Sequence, residues 1–421
     1  MPRPQMLPPQ PWMTAPATRR VLDALAGLGA EARFVGGSVR DAILGRPVKD
    51  IDIATHDPPE VVTRLLEAAG IKVVPTGLAH GTVTAVVGEA HFEITTLRRD
   101  VETDGRRAKV AFTADWGADA ARRDLTINAL SAAPDGTLYD PFGGYEDLLA
   151  GRIRFVGDAR TRIGEDVLRL LRFFRFYAHY GKPPPDGEAL AACRELAPRL
   201  ATLSGERVAA ETLKLLAAPE PASVVALMSE AGIVAHFLPE AGGVAVLRAL
   251  VTVEGLGAGT DSLRRLAALV DPARGAAGAE ALALRLRFST AERERVVGLV
   301  APAEVPRAEM PERLRRRLLY RLGSGRFRDL ALLAWAREIA TTGPSSRRAV
   351  EAWTAEFAAA AGWTPPALPV KGRDLLKLGV PAGPAVGRLL AELEAWWIEE
   401  DFGAGRAACL AQLAALMRSA R

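Results

Sequence analysis

The chain is poor in several residue types, and each shortage excludes something. Its 421 residues include two cysteines, Cys193 and Cys409, far apart in sequence. Neither a disulfide framework nor a cysteine metal site can be built from them, so a reducing cytoplasm is the expected compartment. The five histidines, His56, His80, His91, His179 and His236, show no His-Asp metal-hydrolase pattern, and no appended phosphohydrolase domain is expected. No apolar run reaches the roughly 18 residues of a membrane span, so no membrane partner is expected. Residues Met1 to Pro16 are proline-rich and lack an apolar core. They read as a frayed leader, not a signal peptide. Lysine is scarce, because most of the 54 basic residues are arginines, which suit bidentate contacts with phosphates and bases.

What remains is an ordinary globular composition, 49% hydrophobic and 25% charged. The length exceeds what one compact core holds, so two or more domains are expected. A net charge of +4 is mildly basic and compatible with an RNA partner. No obligate protein partner is implied.

The pattern changes along the chain. A short helix is expected from about 17 to 28, with Val21, Leu22 and Leu25 on one face. Strand-like runs follow at Arg33–Val35, Ile51–Ala54, Thr82–Val87 and His91–Thr95, with a helix over Pro59–Ala69 between them. After Gly151, Ala, Leu, Arg and Glu dominate in helical periodicity, punctuated by proline pairs. The reading is a leader and first helix (1–30), an α+β head (31–150), a helical neck (151–218), a helical body (219–300) and a helical tail (301–421).

Chemistry concentrates in four places. Gly36-Gly37-Ser38-Val39-Arg40-Asp41 offers a close backbone approach beside an arginine, which suits phosphate oxygens. Asp50 and Asp52 flank Ile51 in an alternating run, so both carboxylates face one way and suit a Mg²⁺ ion. Glu93, in a second alternating run, is either a third carboxylate or a surface glutamate facing solvent. Arg122-Arg123-Asp124 offers a phosphate or ribose clamp through Arg123, or else a buried Arg–Asp structural pair. The stretch Glu165 to Phe176 is expected to be one helix carrying Asp166, Arg169, Arg172 and Arg175 as a polar stripe. Tyr139 to Gly144 reads as a structural turn closing the head.

Taken in order, these motifs resemble those of the class II tRNA nucleotidyltransferases, which include the bacterial and eukaryotic CCA-adding enzymes and their poly(A) polymerase relatives. The resemblance runs motif by motif over residues 30 to 240. It implies a polymerase-beta-type nucleotidyltransferase sheet with helices, followed by an all-α neck, body and tail. It implies that Asp50 and Asp52 are the catalytic, metal-binding aspartates and that Mg²⁺ is the cofactor. Gly37, Arg40, Arg123, Arg172 and Arg175 match nucleotide-binding positions, and Asp166 with Arg169 matches the pair that selects the base. Ser204 through Glu211 and Lys214 resembles a further neck motif without an assignable role. Leu97 to Arg107 resembles a mobile loop used in changing from C to A addition, with a plain exposed loop as the alternative. Lys371 to Leu375 and Gly383 to Gly387 resemble tail elements; an ordinary capped helix explains them as well.

The resemblance implies template-independent addition of CCA to the tRNA 3′ end from CTP and ATP, with the helical arms holding the acceptor end and elbow. An aspartate accepting from an exocyclic amine, beside an arginine donating to a ring nitrogen, fits cytosine and adenine. The same pair opposes uracil and guanine. The rival readings are a poly(A) polymerase, a CC-only or A-only enzyme, and an inactive RNA-binding scaffold.

Overall fold

A computed structural model describes residues 6–78, 81–104 and 107–419. His80, Gly105 and Arg106 therefore lie outside the described residues. The chain divides into two compact units: Met1–Pro239 with Arg285–Arg287, and Glu240–Leu284 with Phe288–Arg421. No helix among the described residues is long and apolar enough to cross a membrane.

The first unit is built on a mixed sheet. Its strands are β1 (Ala32–Val35), β2 (Ile51–Thr55), β3 (Lys72–Gly77), β4 (Thr82–Val87), β5 (Ala90–Thr96), β8 (Ser131–Ala132) and β9 (Leu138–Tyr139). They run in the order β3-β4-β5-β2-β1-β8-β9. The β2–β5 pair is parallel, and the other neighbours are antiparallel. The alternation read from the sequence is physical: Ile53, Val83, Ala85, Phe92 and Ile94 are buried, and the residues between them face outward or into the site. Helix Pro59–Ala68 packs on this sheet through Val62 and Leu66.

Three expectations for this unit are corrected. The segment from Met6 onward is anchored at several points, not frayed, although Met6 itself is exposed. Leu7 and Met13 are buried, Leu7 N donates to Gly136 O at 2.8 Å, and Trp12 sits edge-on to Phe34 with ring centroids 4.8 Å apart. Proline gives this segment little to lose on ordering, and three apolar side chains anchor it. The segment Leu97 to Arg107, expected as a loop, contains two antiparallel strands instead, β6 (Arg98–Asp104) and β7 (Arg107–Phe112). Their ladder is anchored where Thr113 N donates to the buried Leu97 carbonyl at 2.9 Å. Finally, Glu165 to Phe176 is not one helix. One helix, Ala159–Glu165, ends at Asp166, whose φ of −150° and ψ of 107° are extended; the next is Leu168–Tyr180. The Asp166 carboxylate accepts from Leu168 N at 3.1 Å, the local side-chain bond by which aspartate competes with helix.

Helix Leu168–Tyr180 buries Leu170, Leu171, Phe173, Phe174 and Tyr177, and it packs against helix Gly205–Leu216. Leucine and phenylalanine at these spacings leave the arginines of the same helix for the remaining face.

The second unit is all-helical. Its helices include Ala245–Glu254, Ser262–Leu269, Thr290–Val300, Glu312–Thr342, Arg347–Ala361, Pro384–Glu399 and Arg406–Ser419. Glu312–Thr342 is interrupted at Gly323, whose φ of 72° and ψ of 157° are not helical. Trp335 stacks on Trp353 in one part of its core, and Val370, Leu375, Leu393, Trp397, Cys409 and Leu413 form another.

Candidate active site

The parallel pairing of β2 and β5 sets Asp52 opposite Glu93. Asp50 lies one residue before β2. Asp52 is half-buried. That burial first, then the charge of Glu93, and after it that of Asp50, push its carboxyl up to about 6, against the pull of Arg123 and Arg40. A cluster of acids that cannot all ionise comfortably is a setting in which a divalent cation is welcome.

Gly36 ties this cluster to the arginines. Its φ of 65° falls in the left-handed region that glycine tolerates. A Cβ there would stand 3.4 Å from Arg123 Nη1 and 3.9 Å from Asp52 Oδ2. Gly36 is therefore the narrow partition between the acidic edge and a cleft of about 430 Å³. Gly37 and Arg40, from the helix Gly37–Ile43, line one side of it. Arg122, Arg123, Asp124 and Asn128 line another, and Asp166, Arg169, Arg172 and Arg207 the rest.

The wall is a continuous hydrogen-bonded chain. Arg40 Nη1 donates to Asn128 Oδ1 at 2.7 Å, Asn128 Nδ2 donates to Asp124 Oδ1 at 3.0 Å, and Arg172 Nε donates to Asp124 Oδ2 at 2.6 Å. Burial raises the Asp124 carboxyl. The Arg172 charge and the hydrogen bonds from Asn128, Arg172 and Leu125 N outweigh it and hold the group below the usual carboxylate range. The Tyr180 ring lies under the Arg40 guanidinium at 4.4 Å. Arg123 donates to Asp119 Oδ2 at 3.1 Å and to Asn128 O at 3.2 Å.

Asp166 and Arg169 both line the cleft; Arg169 N donates to Asp166 O at 2.9 Å, while their side chains turn to different partners. Arg207 Nη2 donates to Asp166 Oδ2 at 2.6 Å. Arg169 Nη1 donates to Glu165 Oε2. Each of the two is thus oriented by its own neighbour.

Two family models match the chain. One is the poly A polymerase head domain, over residues 32–154. The other is the probable RNA and SrmB-binding site of polymerase A, over residues 185–242. The mitochondrial CCA tRNA nucleotidyltransferase 1 of Danio rerio is 36% identical over 392 residues, covering 89% of this chain and 86% of that protein. The CCA-adding enzyme of Streptococcus sanguinis is 42% identical over 201 residues, covering 47% of this chain and 49% of its own length. Among solved structures, the Bacillus stearothermophilus CCA-adding enzyme in complex with CTP superposes with a TM-score of 0.73 at 29% identity, covering 96% of this chain and 98% of that one.

The chain belongs to the CCA tRNA nucleotidyltransferase family. In this family member the head model spans the glycine turn, Asp50, Asp52, Glu93 and Arg123, and the second model spans Arg207 and Glu211. The arginine helix lies between the two matches. Of the positions expected to bind nucleotide, Gly37, Arg40, Arg123, Asp166, Arg169 and Arg172 share the cleft. Arg175 does not line it; it pairs with Glu211 at 3.2 Å and lies over the Phe176 ring at 4.3 Å. Sequence reasoning missed Asn128 and left Arg207 without a role. Asn128 sits four residues after Asp124 in the arginine motif, and Arg207 is the fourth residue of the neck motif that begins at Ser204; neither spacing alone shows which groups they meet.

Proposed function

We propose that this chain adds CCA to the 3′ end of tRNA without a nucleic-acid template, taking CTP and ATP and releasing pyrophosphate. The single observation that carries the reading is adjacency: Gly36 lines the arginine cleft, and Asp52, which does not line it, lies against the same glycine. Asp52 and the arginines of helix Leu168–Tyr180 lie more than a hundred positions apart in sequence, yet Gly36 lies close to Asp52 on one side and lines the cleft with Arg169 and Arg172 on the other.

Asp50, Asp52 and Glu93 are hard oxygen donors, and the raised Asp52 carboxyl supports cation binding at this edge. Among the described residues no group of three such side chains is arranged around a metal position; Asp50 and Asp52 would hold Mg²⁺, which when bound lowers the barrier to attack on an α-phosphate and neutralises the leaving pyrophosphate. The protein's own groups do the rest. Arg40 and Arg123, fixed by Asn128 and Asp119, present cationic donors to triphosphate oxygens. Arg172 is locked by Asp124 on the same wall. Asp166 accepts from an exocyclic amine while Arg169 donates to the adjacent ring nitrogen. Uracil and guanine present the reversed order, and leaving those groups unpaired can cost about 10⁴-fold in selectivity. The mitochondrial relatives leave the compartment open between cytoplasm and organelle.

The test is incubation with tRNA lacking its 3′ end, Mg²⁺ and each NTP, followed by sequencing of product ends. Ordered C, C, A addition supports the reading. Homopolymeric A on any RNA assigns it instead to poly(A) synthesis, and C alone or A alone to a partial enzyme. Absence of any incorporation leaves an RNA-binding scaffold.

A further inference from the structure

The second unit contains a cleft of about 580 Å³. Arg264, Arg295, Arg326 and Arg328 line it, with Glu294 and Asp329. Its floor is a closed ion-pair network. Arg264 and Arg265, both buried, share Glu254; Arg264 Nη1 also donates to Asp329 Oδ1 at 2.6 Å. Arg295 Nη2 bridges Asp261 and Asp329 at 2.8 Å to each. Glu254, Asp261 and Asp329 are thereby already committed to Arg264, Arg265 and Arg295.

Arg326 and Arg328 are different: among the described residues neither has a carboxylate partner. Both follow the interruption at Gly323. The place of Arg326 is built by a second glycine. Gly298 lies inside helix Thr290–Val300, and a Cβ on it would stand 2.0 Å from Arg326 Nη2 and 2.7 Å from its Cζ. The guanidinium therefore rests on bare helix backbone. Around the mouth these two arginines outnumber the one uncommitted acid, Glu294.

We propose that this cleft is a phosphate site that takes a phosphodiester of the RNA substrate's backbone through Arg326 and Arg328. The proposal rests on the nucleotidyltransferase reading above. Two arginines on a paired, charge-balanced floor grip a phosphate without reading a base, as sequence-independent backbone contacts do. Glu294 at the rim works against the anion and tempers its hold.

The test uses the full chain and tRNA lacking its 3′ end. Affinity is measured by fluorescence anisotropy across a KCl series, beside CTP incorporation at saturating tRNA. Arg326→Gln with Arg328→Gln should weaken tRNA binding about tenfold and flatten the salt dependence by about one unit of log slope per arginine. The incorporation rate at saturating tRNA and the KM for CTP should not change. Glu294→Gln should tighten binding, and Gly298→Ala, which pushes Arg326 aside, should weaken it. Unchanged affinity and slope in the double variant would overturn the proposal. So would stabilisation of the wild-type protein by millimolar inorganic phosphate or ATP that the double variant loses while its tRNA affinity is intact, since the cleft would then serve a small free anion. A wild-type protein that extends no tRNA at all would defeat the enzymatic reading instead.

Discussion

Asp52 and Glu93 face each other across the parallel β2–β5 pair, with Asp50 one step before the strand. Parallel register sets Glu93 beside Asp52, and its charge helps to raise the Asp52 carboxyl. Asp52→Asn should reduce incorporation by about 10²–10³-fold, the loss expected when one charge-stabilising group at a transferring phosphoryl is removed. tRNA binding should be spared. Glu93→Gln should act more weakly and mainly by raising the Mg²⁺ concentration needed for half-maximal rate. A Glu93→Gln enzyme whose Mg²⁺ titration overlays the wild type would return Glu93 to the status of a surface acid.

Asp124 joins Arg172 to Asn128 from a wholly buried position. Its folded-state carboxyl titrates below its unfolded value, so its contribution is present above about pH 4 and is lost as pH falls through the folded value. Asp124→Asn should cost toward the lower end of about 3–5 kcal/mol at pH 7, because Arg172 is left without its counter-charge but is partly solvated. The difference in stability between wild type and variant should shrink steadily below about pH 4. Denaturation measured at several pH values decides this. A difference that stays constant into acid would mean that shape, not charge, carries the Asp124 contribution.

Strand β2 and its partner β5 were readable because each alternates apolar and polar residues on a half-buried surface, and helix Pro59–Ala68 because its apolar positions recur at helical spacing. Edge strand β3 was not. Its residues are exposed or half-buried, so no buried face imposes a pattern on them. The break at Asp166 was hidden because the stretch has helical periodicity on both sides, and a single side-chain bond to Leu168 N decides the local geometry. Arg207 was seen without a purpose because its partner Asp166 is 41 positions away, and nothing in the local sequence encodes that meeting. The same distance separates motif from meaning for Asn128, whose role depends on Arg40 arriving from 88 residues upstream.

Arg207 and Glu165 orient the side chains of Asp166 and Arg169. Arg169→Ala should lower CTP and ATP use together and narrow their advantage over UTP and GTP. Arg207→Ala leaves Asp166 and Arg169 in place and frees only the orientation of Asp166. It should raise the KM for CTP and ATP more than it lowers the incorporation rate at saturation, with a smaller loss of discrimination. Competition assays with all four nucleotides give both ratios. A discrimination ratio untouched by Arg169→Ala would place the base reader elsewhere.

The N-terminal segment makes the last prediction. Leu7 is 3% exposed, its amide donates to Gly136 O, and Met6 bridges Thr137 beside β9. Further on, the Thr18 hydroxyl donates to Trp12 O at 2.6 Å. A frayed leader would tolerate any substitution. A packed one should not, and Leu7→Ala should destabilise the first unit by about 2–4 kcal/mol, the range for leucine truncation in a core. Pro8→Ala, at an exposed neighbour, should change stability by less than about 0.5 kcal/mol and serves as the control. Because this segment packs beside the sheet and not in the cleft, nucleotide KM values at low temperature should be the same in both variants. Thermal unfolding followed through head-unit tryptophans, Trp12 and Trp116, separates the two outcomes. Equal melting of Leu7→Ala and wild type would show that burial of this segment adds nothing to the stability of the head.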